Sequence, residues 1–209
     1  AGGTGNSRVI PGDIRYVDLN GDNYIDWRDQ DEIGKGGLPD MTYGINLSAT
    51  YKNFSLSMLF QGATGFNFTF GNEIRNILIN NVIPYKFQYD YRWTPDPNNP
   101  AVNINPNAQL PASTAANANA NNSVVSDFWV QDGTYLRLKN LNFGYEIPTS
   151  IKDMIGVTNF RVFVSGSNLI TWNNLGIYKG AFDSEGPSNQ NGSTYPLIKT
   201  LSYGINISL

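Results

Sequence analysis

Met41-Thr-Tyr-Gly-Ile-Asn-Leu-Ser-Ala-Thr-Tyr51, then Lys52-Asn53, then Phe54-Ser-Leu-Ser-Met-Leu-Phe-Gln61, carries the clearest period in the chain. Met41, Tyr43, Ile45, Leu47, Ala49 and Tyr51 alternate with Thr42, Gly44, Asn46, Ser48 and Thr50. Phe54, Leu56, Met58 and Phe60 alternate with Ser55, Ser57, Leu59 and Gln61. A period of two predicts strands, because successive side chains point to opposite faces. Lys52-Asn53 is then the tight reversal of a hairpin. The polar face is small and uncharged rather than rich in Lys and Glu. The apolar face has tyrosines at both ends. That pairing fits a transmembrane barrel strand, with lipid outside, a polar lumen inside and aromatics at the interfaces. A hairpin from a soluble sandwich would also alternate, so other segments must decide.

Working outward, three more runs alternate. In Tyr135–Ile147, Leu141, Phe143, Tyr145 and Ile147 share a face, while Leu136 and Leu138 have the opposite parity. A bulge near Lys139–Asn140 reconciles the two halves. In Asn159–Trp172, Phe160, Val162 and Val164 alternate with Arg161, Phe163, Ser165 and Ser167. In Thr200–Leu209, Leu201, Tyr203, Ile205, Ile207 and Leu209 face one way. Five strands follow one another, and their connections run short, long, short, long: Lys52-Asn53, Ala63–Asp127, Pro148–Thr158 and Asn173–Thr194. Outer-membrane barrels produce this alternation, with short periplasmic turns and long extracellular loops. The loops themselves read as irregular, with short helices expected at Glu73–Asn81 and Ile151–Ile155 and near-low-complexity sequence at Ala112–Asn122. Ala1–Ser7 is a Gly-rich entry, expected to be flexible and without the features of a signal peptide.

Composition narrows the function classes. The 209 residues include no Cys and no His, which removes disulfides, thiol chemistry, the Ser-His-Asp triad and most zinc sites. Charged residues are 15% against roughly 25% in ordinary soluble domains, and aromatics reach 13%. The net charge of −3 attracts no nucleic acid. No long uncharged apolar run supports a transmembrane helix, which leaves a barrel open.

One stretch carries metal-ligand spacing. Asp18, Asn20, Asp22, Tyr24, Asp26 and Asp29 occupy positions 1, 3, 5, 7, 9 and 12 of an EF-hand-like loop. Calcium takes several hard oxygens at flexible distances: side chains from Asp18, Asn20, Asp22, Asp26 and Asp29, and the carbonyl of Tyr24. Asn23 stands where Gly is usual, and Asp29 where Glu is usual. The expected role is structural, and the alternative is an acidic solvated turn. Trp93, Trp129, Tyr89, Tyr91 and Tyr178 lie in the long loops, as candidates for stacking on a substrate or for loop packing. Asp183 and Glu185 could be imagined as a glycosidase pair, but a turn is the simpler reading.

Several blocks together resemble a known family: Gly12-Asp-Ile-Arg-Tyr-Val-Asp-Leu-Asn-Gly-Asp-Asn-Tyr-Ile-Asp26, Ile33-Gly34, Pro39-Asp-Met-Thr-Tyr-Gly44, Phe60-Gln-Gly62, Arg92-Trp-Thr94, Gly133-Thr-Tyr-Leu-Arg-Leu-Lys-Asn-Leu141, Gly144-Tyr145 and Val164-Ser-Gly-Ser-Asn-Leu169. Their order resembles the C-terminal region of SusC/RagA-type TonB-dependent transporters of Bacteroidetes outer membranes. The last residues, Ser202–Leu209, resemble the terminal-strand signal of such barrels, with Leu209 in place of the usual aromatic. The resemblance implies an all-β antiparallel transmembrane segment, the last five strands of a barrel of about 22. Residues 1–40 would be an extracellular region carrying the loop 18–29, and residues 41–209 the strands with outer loops 63–127 and 173–194. It implies import of oligosaccharides or peptides across the outer membrane and no enzyme activity. The implied partners are the remainder of the barrel and plug, a SusD-like surface lipoprotein, the TonB complex and outer-membrane lipid. The competing expectation is a soluble, calcium-stabilised β-sheet module that binds carbohydrate, which would purify as a folded monomer without detergent.

Overall fold

A computed structural model describes residues 9–76, 83–112, 121–186, 189–190 and 197–209. Its strands are β1 (Met41–Tyr51), β2 (Phe54–Thr64), β3 (Asn67–Phe70), β4 (Val130–Asp132), β5 (Tyr135–Glu146), β6 (Asn159–Asn173), β7 (Asn189–Gln190) and β8 (Thr200–Ser208). The five long strands form one antiparallel sheet in the order β1-β2-β5-β6-β8. All five runs predicted from alternation are present, and β2 continues past Gln61 to Thr64.

Register converts the separate alternations into two continuous faces. Ile45 opposes Phe60, Phe60 opposes Leu138, and Leu138 opposes Ile170. Nearer the turns, Leu56 opposes Phe143, Phe143 opposes Val164, and Val164 opposes Tyr203. The expected bulge is real. The ladder steps from Leu59↔Asn140 to Phe60↔Leu138, skipping Lys139, and on the other side from Leu138↔Ile170 to Asn140↔Ser167. The extra residue returns Leu136 and Leu138 to the face of Leu141 and Phe143. Aromatics gather at both ends of this face: Phe54 lies 4.6 Å from Tyr145 and 5.9 Å from Phe143, while Phe60 stacks on Trp172 at 6.5 Å.

Short connections close one end of the sheet. Lys52 takes a positive φ of 51° in the first turn, and Asn53 Nδ2 donates to Glu146 O at 2.8 Å, tying that turn to β5. The second turn carries helix α3 (Thr149–Ile155), which ends on Gly156 in the left-handed conformation. This matches the helical turn expected there.

The sheet is not where the core lies. Ile45, Leu47, Tyr51, Val162, Tyr203, Ile205 and Ile207 are all exposed. The buried residues Phe68, Phe70, Ile74, Phe87, Leu110, Trp129, Leu175, Tyr178 and Phe182 come mainly from the long connections at the other end. Expecting those loops to be irregular therefore needs correction: they fold into a cap with its own core. Helices α1 (Asn72–Arg75) and α2 (Lys86–Tyr91), three-residue 3-10 turns and the small sheet β4-β3-β7 build it. Of the helix expected at Glu73–Asn81, α1 realises the start, and residues 77–81 lie outside the described residues, as do Ala1–Ser7 and most of Ala112–Asn122.

Phe70 is the centre of the cap, 4.4 Å from the Tyr178 ring and 4.7 Å from Phe182. Gln88 and Trp129 find partners for their buried polar groups inside the cap. Gln88 accepts from Tyr85 N at 2.7 Å and donates to Ile74 O at 3.0 Å; Trp129 Nε1 donates to Asn122 O at 2.8 Å. Asn122 also accepts from Ile14 N at 2.7 Å, which straps the N-terminal segment to the cap. Burial pushes the Tyr178 phenol well above its ordinary pKa.

Glycines make room for large neighbours. A Cβ on Gly62 would lie 2.5 Å from the Tyr43 ring and 2.6 Å from the carbonyl oxygen of Tyr135. Backbone cannot yield as a side chain can, so Gly62→Ala is expected to destabilise the hairpin by roughly 1–3 kcal/mol, measured by denaturant unfolding in detergent.

Candidate functional site

The join between cap and sheet holds a cluster of four charged side chains. Strand alternation points Tyr135, Arg137 and, through the bulge, Lys139 away from the apolar face. The loop after β6 returns Asp183 and Glu185 above them. Arg137 Nη2 meets Asp183 Oδ1 at 2.6 Å and Arg137 Nη1 meets Glu185 Oε1 at 3.2 Å. Lys139 Nζ reaches Glu185 Oε2 at 2.7 Å. Arg137 Nε donates to Thr171 Oγ1 at 2.9 Å, so the guanidinium also spans to β6. Asp183 orders its own loop by accepting from Glu185 N at 2.9 Å and from Leu197 N at 3.2 Å. The Arg137 side chain is only 3% exposed, and those of Asp183 and Glu185 are 12% and 18%.

This arrangement rules out a glycosidase pair. Both carboxylates are committed to cations, so neither is poised as a proton donor beside a free nucleophile. The simpler reading, that the two acids belong to a turn, is incomplete. They fasten the turn to the wall. Sequence reasoning missed the constellation because Arg137 and Asp183 are 46 residues apart. The available signal was two cations two residues apart in β5, followed later by the acid pair.

The acidic loop is compact. Asp18 accepts from Gly21 N and Asn23 N, each at 2.7 Å, and Asp22 accepts from Tyr24 N at 2.9 Å. Asp29 accepts from Leu19 N at 2.9 Å and Asp26 N at 2.7 Å. Asn23, in place of glycine, takes the left-handed φ of 64° that the position requires. Arg28 lies on two of the expected metal ligands, 2.9 Å from Asp22 and 2.8 Å from Asp26. Among the described residues no three or more Asp or Glu side chains gather as they would around a metal ion. Hydrogen bonds from Arg28 hold the Asp26 carboxyl below the usual range, and backbone N–H groups, first that of Asp26, do the same for Asp29. The folded values are lowered. Order in this loop is therefore full above the ordinary carboxylate pKa of 3.8 and is lost as pH falls through the lower folded values. An acid titration followed by Trp27 fluorescence should give a midpoint below 3.8.

The loop aromatics divide. Trp129 and Tyr178 are buried in the cap, and Tyr91 packs against it. Trp93 packs on Gly12. Tyr89 is exposed, with Arg92 stacked on its ring at 3.9 Å. Four of the five candidates are thus buried or partly buried packing residues, and Tyr89 is the exposed one.

An exposed apolar sheet face with aromatics at both ends, a small-residue polar face opposite, short turns at one rim and a folded cap at the other define a class: an open segment of an outer-membrane β-barrel. Comparisons with known proteins specify it. The chain is 30% identical over 207 residues to TonB-dependent receptor P26 of Formosa agariphila, across 95% of this chain and 20% of that receptor. It is 30% identical over 214 residues to TonB-dependent receptor P3 of the same organism, across 94% and 19%. It superposes on the RagAB peptide importer in the closed-closed state with a TM-score of 0.59 at 25% identity, covering 85% of this chain and 18% of that one. On the open-open state the TM-score is 0.57 at 24% identity, with 84% and 18% covered. No family model matches. The chain belongs to the TonB-dependent receptors of the SusC/RagA type, proteins of the outer membrane, and it spans about a fifth of the length of the curated relatives it matches.

Proposed function

We propose that this chain supplies part of the wall and of the folded rim of an importer that carries peptides or oligosaccharides across the outer membrane with energy delivered through TonB. The observation that carries the reading is the two-faced sheet. Its exposed apolar face exceeds what a water-soluble monomer tolerates, and its opposite face is mostly small and polar, with Arg137, Lys139 and Arg161 among the Thr, Asn, Ser and Gly residues. Similarity to structures described as a peptide importer favours peptides as the first substrate class to try. The cap offers a docking rim for a surface lipoprotein lid, and the unpaired edges of β1 and β8 await the remainder of the barrel.

The test is uptake of labelled oligopeptides and oligosaccharides by cells carrying the full-length protein, its deletion, or a TonB knockout. Uptake of one class should fall in both mutants alike. Equal uptake of both classes in all three strains would overturn the proposal. The exposed sheet face argues against the soluble-module alternative, and a detergent-free folded monomer would revive it.

Calcium belongs to the same proposal as a structural ion. Asp18, Asn20, Asp22, Asp26 and Asp29 would offer side-chain oxygens and Tyr24 its carbonyl, with Arg28 competing for Asp22 and Asp26. Calorimetry should show Arg28→Ala binding calcium more tightly than wild type and Asp22→Ala more weakly. Three identical isotherms would leave the loop as an acidic solvated turn.

A further inference from the structure

The second short turn carries an apolar stripe that none of the described residues covers. Helix α3 is firmly held. Gly156 ends it in the left-handed conformation, and Val157 N donates back to Lys152 O at 3.1 Å. Just before it Ile147 N donates to Phe160 O, and just after it Thr158 N donates to Ser208 O, each at 2.8 Å. Ile151, Met154 and Ile155 follow the i, i+3, i+4 spacing of one helical stripe, and they are 46%, 82% and 51% exposed. Lys152 sets the rotation of the helix. Its Nζ reaches Glu146 Oε1 at 3.4 Å, and Glu146 shares the polar face of β5 with Asn142 and Gly144. At about 100° per residue, Met154 stands about 160° around the helix from Lys152. The stripe is therefore turned from the lumen side toward the side of the apolar face. The remainder of the barrel joins at the edges of β1 and β8, whereas α3 links β5 and β6, each already paired on both sides. Further strands therefore leave the stripe open.

We propose that α3 is an interfacial anchor, with Ile151, Met154 and Ile155 buried among phospholipids of the periplasmic leaflet where headgroups meet acyl chains. Continuity with the lipid-facing sheet identifies the occupant. At this rim Phe54 lies 4.6 Å from Tyr145 and 5.9 Å from Phe143, and Tyr51, opposite Phe54 in register, is exposed. Such an aromatic girdle marks the boundary between membrane and water. Three residues separate Tyr145 from α3, a rise of roughly 10 Å along a tilted strand, which leaves the helix beside the headgroups. A helix with an apolar stripe and charged residues on its other side is at home in that layer. Lys52 of the neighbouring turn, 5.4 Å over the Tyr51 ring, adds a cation for lipid phosphates at the same rim. The inference rests on reading the sheet as an outer-membrane wall and is independent of what is imported.

The test uses the full-length transporter, made otherwise free of cysteine, in nanodiscs of phosphatidylethanolamine and phosphatidylglycerol. Met154→Cys, Asp153→Cys and Val162→Cys each carry an environment-sensitive fluorophore, with Ile155→Cys as a second position on the stripe. Heat-modifiable gel migration checks that each barrel is folded. Quenching is read, without substrate, from lipids bearing a nitroxide near the headgroup and from aqueous iodide. The lipid should quench the label at Met154 at least about twice as strongly as the label at Asp153, and iodide should give the reverse order. Equal quenching of the two labels by iodide would put the stripe in water and overturn the proposal. Protection of Met154 and Ile155 from both quenchers would mean that a protein segment covers the stripe, and overturns it equally. In either case, lipid quenching at Val162 on the apolar face of β6 would leave the barrel reading standing, and its loss would bring that reading down as well.

Discussion

Phe70→Ala is expected to unfold the loop cap while the five-stranded sheet survives. Phe70 is fully buried, with Phe68, Tyr178 and Phe182 all within 5.7 Å of its ring centroid. Removing such a ring loses its transfer free energy and leaves a cavity, together roughly 3–5 kcal/mol. The loss falls on a small core assembled from α1, α2, β3 and the turn at Gly176–Tyr178, which has little reserve. The sheet draws on hydrogen-bonded ladders and lipid burial instead. Hydrogen exchange on the full-length protein in detergent should show lost protection in residues 67–76, 83–91 and 175–182, with β1, β2, β5 and β6 unchanged. Coincident loss in both regions would mean that cap and wall form one cooperative unit.

Arg137→Ala is expected to release the loop of Asp183 and Glu185 from the wall. Removing the guanidinium strands two largely buried carboxylates, and breaking such a network from one side costs roughly 3–5 kcal/mol. Lys139 would still neutralise part of Glu185, which places the effect toward the lower end. Arg137→Lys should recover less than half, because a point charge cannot reach Asp183, Glu185 and Thr171 together. Limited proteolysis between Asp183 and Glu185 is the readout. In a double-mutant cycle, Asp183→Asn should lessen the penalty of Arg137→Ala, since it removes the charge left unpaired. Strict additivity would mean that the pair contributes nothing.

The strands were legible because their information is local. Tyr43, Ile45 and Leu47 announce a face by period alone, and the parity break between Leu138 and Leu141 announces the bulge that the register contains. The cap was not legible. Phe70, Phe87, Trp129 and Phe182 sit in short elements separated by Gly, Asn and Pro, so no period marks them as one core. Trp129 and Tyr178 stood among the candidates for stacking on a substrate as well as for loop packing, and their burial decides for packing. The acidic loop stands between these cases. Its spacing was visible, but Arg28 folding back onto Asp22 and Asp26 was not.

The sequence by itself determined the five strands, their two faces, the position of the bulge and the family, because alternation and short motifs act over a few residues. Tertiary structure alone decided that the core lies in the loops, that Asp183 and Glu185 clamp the wall, and that Arg161 lies across Gly144 to reach Ser55 and Asn142. Each of these depends on chain segments far apart in sequence meeting at a distance of a few ångströms, and only the closed register of β2, β5 and β6 brings them there.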